Sequence, residues 1–178
     1  MKKKISLIIL ALVVLAGVAV LIVAPWNTDF RQSKIDVLLM SDWLQEQLPN
    51  KTITEEEIEK KWHAEYSYTF VQRIGDPDVA DVHLEVILKG DGVEITVSAS
   101  GDVRPEQDDK TGWVFWHGPI DGTAIINGME HTVKVGIWKD HTKDDIYATI
   151  QLGGILAIGD EDSWEKINDY IEEKTNTD

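Results

Sequence analysis

Three hydrophobic patterns follow one another along the chain. The first is unbroken. From Ile5 to Ala24 the chain holds 20 residues without a charge, and Ser6 is the only polar one. As a helix rising 1.5 Å per residue such a run spans roughly 30 Å, the thickness of a bilayer's hydrocarbon core. A secretory signal normally has a shorter apolar core, about 7–15 residues. Pro25 follows directly and is a poor site for signal peptidase. The pattern predicts an uncleaved signal anchor over residues 1–26 and a separate domain over 27–178.

The second pattern has a helical period. Ile35, Leu38, Leu39, Met40, Trp43, Leu44 and Leu48 recur on one face, so a helix is expected from Asp29 to Leu48, stopped by Pro49-Asn50. Thr54-Glu55-Glu56-Glu57 is a capping box, in which the Thr hydroxyl and the Glu57 side chain serve each other's backbone N–H groups. Ile53 and Ile58 stand at the staple positions of this second helix.

From Glu65 the period falls to two. Tyr66, Tyr68 and Phe70 alternate with polar residues, and so do Val82, Leu84, Val86 and Leu88, then Val93, Ile95, Val97 and Ala99. Asp91-Gly92 fits a two-residue hairpin turn that sets Leu88 opposite Ile95 and Val86 opposite Val97. Asn127-Gly128 fits another, with Ile126 opposite Met129 and Ala124 opposite His131. A four-residue loop after Lys139 would set Ile137 opposite Ile146 and Val135 opposite Ala148. Trp113 to His117 reads as a further strand, apolar on both sides and so covered on both. Gly153-Gly154 ends the strand pattern, and Asp162 or Ser163 caps a last helix bearing Trp164, Ile167 and Ile171 on one side. The expected fold is α+β: an N-terminal transmembrane helix, two helices, an antiparallel meander of about seven strands that is curved or barrel-like, and a C-terminal helix. The element order is that of helix-grip cavity folds and of nuclear-transport-factor-type cones, an analogy of order alone.

Charge then restricts function. Of 178 residues, 17 are Lys or Arg and 32 are Asp or Glu, a net of -15, and there is no cysteine. A disulfide framework, a thiolate metal site and a cysteine nucleophile are excluded. Setting aside Lys2, Lys3 and Lys4 leaves 14 basic against 32 acidic residues, a net of -18 for the body. Such a body does not bind nucleic acid through its phosphates. The three lysines precede the span and the next positive charge is Arg31, so the positive-inside rule places the N-terminus in the cytoplasm and the domain outside the cell membrane as a single-pass protein. The membrane is thus a partner through residues 5–24.

Candidate chemistry is sparse. None of the five histidines forms a metal-ligand spacing. His131 falls on the apolar register of its hairpin and is the candidate general base, should the sheet enclose a cavity. Trp113, Trp116 and Trp138, among seven tryptophans, are candidates to line a ligand cleft. The acidic stretch 101–112 offers Asp102, Glu106, Asp108 and Asp109 as oxygen ligands for calcium, without an EF-hand pattern. No Gly-x-Ser-x-Gly is present, and Ser98 and Ser100 have no base in view. No cofactor is expected, with Ca2+ the single candidate ion. The reading is a membrane-anchored extracytoplasmic binding domain, its partner a protein, a polymer or a small ligand. The alternatives are a cavity protein or enzyme using His131 and a calcium-dependent surface module.

Overall fold

The structure, a computed structural model, describes residues 30–33, 35–39, 42–50 and 54–175. The expected span 5–24, the boundary at residue 26 and the Ile53 staple position lie outside the described residues. No helix among the described residues is long and apolar enough to cross a membrane.

The body is one antiparallel sheet with three helices. Short β1 (Arg31–Ser33) and β2 (Asp36–Leu39) lead to α1 (Asp42–Gln47) and α2 (Glu55–Lys61). Then come β3 (His63–Arg73), β4 (Asp76–Gly90), β5 (Val93–Gln107), β6 (Val114–Ile126), β7 (Met129–Asp140), β8 (Tyr147–Gln151), β9 (Ile155–Gly159) and α3 (Glu161–Thr175). Strands β3 to β9 are hydrogen-bonded in chain order. The two short strands join the ends of this meander. β1 pairs with β3, Arg31 opposite Tyr66, and β2 pairs with β9, Val37 opposite Leu156. β1 and β2 therefore occupy both free edges, and with these two short strands counted as one the nine segments form a nearly closed barrel of eight strands.

This corrects the helix expected from Asp29 to Leu48: among the described residues of that range, only Asp42–Gln47 is helical. Local periodicity in 31–39 is overridden because the sheet would otherwise leave two rows of edge N–H and C=O groups unpaired. The strand count of about seven is corrected too. Val114–His117 and 121–126 are parts of one strand, β6, with Trp113 just before it, and Ile155–Gly159 is a strand the pattern missed.

The predicted hairpins at Asp91-Gly92 and Asn127-Gly128 form with the expected partners, and all four turn residues have positive φ, as a type I′ turn requires. The loop after β7 is longer than expected. Ile137 faces Ala148 and Val135 faces Ile150, a slip of two that leaves every side chain on its expected face.

Inward positions of the strands fill the barrel. Leu84, Val86, Leu88, Ile95, Val97, Ala124, Ile126, Val135, Ile137, Ala148 and Ile150 are all fully buried. An eight-stranded barrel is just wide enough for its own side chains to fill it. Ile58 and Trp62, flanking the end of α2, and Leu48, just after α1, join this core and cap one end. Trp62 lies directly on Gly90, where a Cβ would collide with the indole. Asn127 in the β6–β7 turn donates to the Gln47 carbonyl at 2.8 Å, tying α1 to the same end. Thr54 caps α2 as expected, its hydroxyl accepting from Glu57 N at 3.2 Å.

A second core lies outside the barrel. α3 crosses the outer face of β8 to β5, with Ile167 fully buried over Phe115, Trp138, Tyr147 and Ala157. The cap of α3 is Asp160, whose carboxylate accepts from Asp162 N at 3.2 Å, rather than Asp162 or Ser163 themselves.

Candidate functional site

The end of the barrel opposite α1 and α2 is where the β3–β4, β5–β6 and β7–β8 connections lie. Here the inward register of β3 continues from Ala64 and Tyr66 to Tyr68 and Phe70, and that of β6 reaches Trp116. Phe70 meets Trp116 edge to face, ring centres 5.2 Å apart. The inward register of β7 runs Val133, Val135, Ile137 and then Lys139, so a lysine takes the next core-facing position. Its ammonium sits 5.6 Å over the Phe70 ring and donates to the Lys143 carbonyl. An ammonium has three donors, and that carbonyl takes one of them.

Arg31 is the second inward cation, since it lies opposite buried Tyr66. Its guanidinium is 5.1 Å over the Tyr68 ring and 2.9 Å from the Asp145 carboxylate. Tyr66 donates to the same carboxylate at 3.0 Å. Burial works against the Arg31 charge, and attraction to Asp145 and Tyr68 outweighs it, so its pKa is raised. Burial and the Asp145 charge hold the Tyr66 hydroxyl protonated well above the ordinary range. Burial pushes Tyr68 up to about 12, against the pull of Arg31. The mouth therefore presents two phenols held protonated at neutral pH, the side chains of Arg31 and Lys139, the carboxylates of Asp144 and Asp145, and a wall of aromatic rings. That set can hold a body with an apolar face and an anionic group.

The structure separates the three candidate tryptophans. Trp116 faces into the mouth, while Trp113 and Trp138 face outward beneath α3. Trp113 stacks on Phe115 at 4.4 Å and donates to Asp140 at 2.9 Å, and Trp138 stacks on His117 at 4.6 Å. These two hold the helix to the sheet and do not share a cleft with Trp116. His131 sits two residues beyond the Asn127-Gly128 turn, opposite Ala124, at the capped end and away from the mouth. It is half-buried and lines neither of the two surface clefts described below.

The acidic candidates are also dispersed. β5 extends to Gln107, so most of 101–112 is strand, not loop. Asp102 is an exposed strand residue, Glu106 accepts from the Tyr170 hydroxyl at 2.7 Å, and Asp109 is exposed. Asp108 accepts from Lys110 N at 3.0 Å and from the Thr111 hydroxyl, which holds its carboxyl below the usual range. Among the described residues no three His, Asp or Glu side chains are grouped to hold a metal ion.

One pairing was invisible in the sequence. Strand register sets His83 opposite Ser100, with Nδ1 2.7 Å from the hydroxyl, and Glu85 3.4 Å from Nε2. Only the partner strand supplies this base for Ser100, so local sequence gave no signal. The group lies on the outer face of the sheet, with His83 and Glu85 both about two-fifths exposed. Water is not excluded there, and a developing oxyanion would have little preorganised support.

Two shallow clefts of about 410 Å³ each open on the surface, one beside Lys134 and Gly153-Gly154, the other beside His63 and the Asp91-Gly92 turn. Neither is lined by a Trp, Tyr or Phe side chain. The chemistry of the mouth is the more distinctive. Comparison with protein-family models, with characterised proteins and with solved structures finds no match.

Proposed function

We propose that the chain is a membrane-anchored, extracytoplasmic binding module whose ligand site is the uncapped mouth of the barrel. The ligand is a small amphiphile with an apolar body and an anionic group. One observation carries this reading: Arg31 and Lys139 occupy inward register positions, next to Tyr68, Phe70 and Trp116, at the end of a barrel whose buried core is mainly aliphatic. Arg31 already pairs with Asp145, so the Lys139 ammonium is the inward charge whose desolvation contact with an anion would offset. The outer His83–Ser100 pair and the dispersed carboxylates supply no comparable constellation, so the reading is of binding and not catalysis.

Anilinonaphthalene sulfonate, an anionic aromatic amphiphile, is a direct probe. Residues 27–178 should bind it saturably, with its fluorescence rising. Phe70→Ala and Lys139→Glu should each weaken binding by about tenfold, which corresponds to about 1.4 kcal/mol. Binding unchanged in both variants would remove the mouth from consideration.

A further inference from the structure

We infer that the rim of the mouth on the β1–β3–β4 side rests on the lipid surface from which the chain emerges, so that the mouth opens toward the bilayer. The inference builds on the membrane-anchored reading of residues 5–24 and adds to it an orientation and a contact surface.

Three observations meet at this rim. The first is the point of entry. Arg31 is fixed to the barrel by pairing with Tyr66 and by its ion pair with Asp145 in the β7–β8 connection. Only residues 25–30 separate it from the apolar run ending at Ala24. Six residues reach at most about 20 Å when fully extended.

The second is the height of the wall beside it. Ile74 lies eight residues past Tyr66, at the tip of the β3–β4 hairpin. At about 3.3 Å per residue that is about 26 Å along the strand, and nearer 20 Å along the axis of a barrel with tilted strands. The hairpin tip therefore projects beyond the entry point by about the length of the tether. Turning the capped end to the bilayer would instead require the tether to span most of the barrel and the α1–α2 cap. β4 and β5 are 15 residues long each, which makes the barrel roughly 40 Å tall.

The third is the surface of the rim. Ile74 is completely exposed, Val71 is 56% exposed and Phe30 is 41% exposed. On β3, Tyr66, Tyr68 and Phe70 face inward, so Val71 faces out, and Phe30 shares that outward register one step before Arg31. Large apolar side chains at a hairpin tip and on the adjoining outer face are unfavourable in water and suited to the interfacial zone of a membrane. Beside them Arg73 pairs with Asp81 and leaves no unpaired cation at the hairpin for an anionic headgroup. With Asp76 and Asp78 also at this hairpin, the contact suits zwitterionic lipid and gains nothing from anionic headgroups.

The chain has no cysteine, so a single introduced thiol carries a label uniquely. Full-length Ile74→Cys and Met129→Cys proteins, labelled with an environment-sensitive fluorophore, would be placed in phosphatidylcholine nanodiscs containing nitroxide-bearing lipid. Met129 starts β7 at the capped end. Quenching should be severalfold stronger at 74 than at 129, and adding phosphatidylserine should not deepen it. Protein that inserts but is quenched equally at the two sites, or more at 129, overturns the orientation and leaves the anchor standing. Protein that does not enter the nanodisc at all overturns the anchor, and the orientation falls with it.

Discussion

Asp140 is 6% exposed, yet it keeps its charge. Burial pushes its pKa up, but donors from Thr142 N, the Thr142 hydroxyl and the Trp113 indole outweigh that, and the net shift is down from 3.8. Asp160 behaves alike, with Lys143 and Ser163 offsetting its burial. Both folded-state values lie below the unfolded ones. The stability they confer is present above about pH 4 and is lost as pH falls through the depressed values, because the unfolded chain binds the protons more readily. The melting temperature should drop as pH falls below 4, and Asp140→Ala should flatten that drop. The same variant should cost about 1–3 kcal/mol at neutral pH, since it strands the Trp113 N–H, as a denaturant titration would measure. At Ser100 the account predicts inertness. A fluorophosphonate should leave Ser100 unmodified by mass spectrometry, and an adduct there would reopen the enzyme reading.

The elements that were legible in sequence are those whose partners lie within a few residues. Asp91-Gly92 and Asn127-Gly128 fix both register and face, and β4 to β7 follow from them. Elements that depend on distant strands were not legible. Arg31–Ser33 and Asp36–Leu39 fall within a helical pattern and become strand because β3 and β9 offer unpaired edges. β9 escaped notice because Ile155-Leu156-Ala157-Ile158 has no alternation. Leu156 and Ile158 enter the barrel core while Ala157 enters the core under α3, so both faces are apolar. The candidate site was half visible. Tyr68, Phe70 and Trp116 show in the alternation, but nothing local says that Arg31 and Lys139 join them, since these lie on β1 and β7, which are not neighbours in the sheet. Arg31→Ala should cost only about 0.5–1 kcal/mol, because the Asp145 pair is partly exposed. Val37→Pro should cost more, by breaking β2 pairing with β9, and hydrogen exchange should then quicken in β3 and β9 before the rest of the sheet. At the capped end, Gly90→Ala should displace Trp62 and cost about 1–3 kcal/mol by overpacking.

At the scale of the whole molecule, two cores share one sheet. The inner one is closed at one end by α1, α2 and Trp62, and α3 seals the outer one over β5 to β8. This leaves the mouth as the end where aromatic and charged groups meet, and it is the end the chain enters from its apolar segment. A net of -18 makes such a body averse to anionic surfaces. The melting midpoint should be the same in calcium and in chelator. A rise in calcium would point back to the carboxylates at 102–109.

The most direct test of the mouth as the binding site is amide chemical-shift mapping of residues 27–178 during titration with anilinonaphthalene sulfonate. The account predicts saturable shifts centred on Tyr68, Phe70, Trp116 and Lys139, with the amides of α2 and of the Asn127-Gly128 turn unmoved. Shifts centred instead on the α3 face or on the capped end would contradict it.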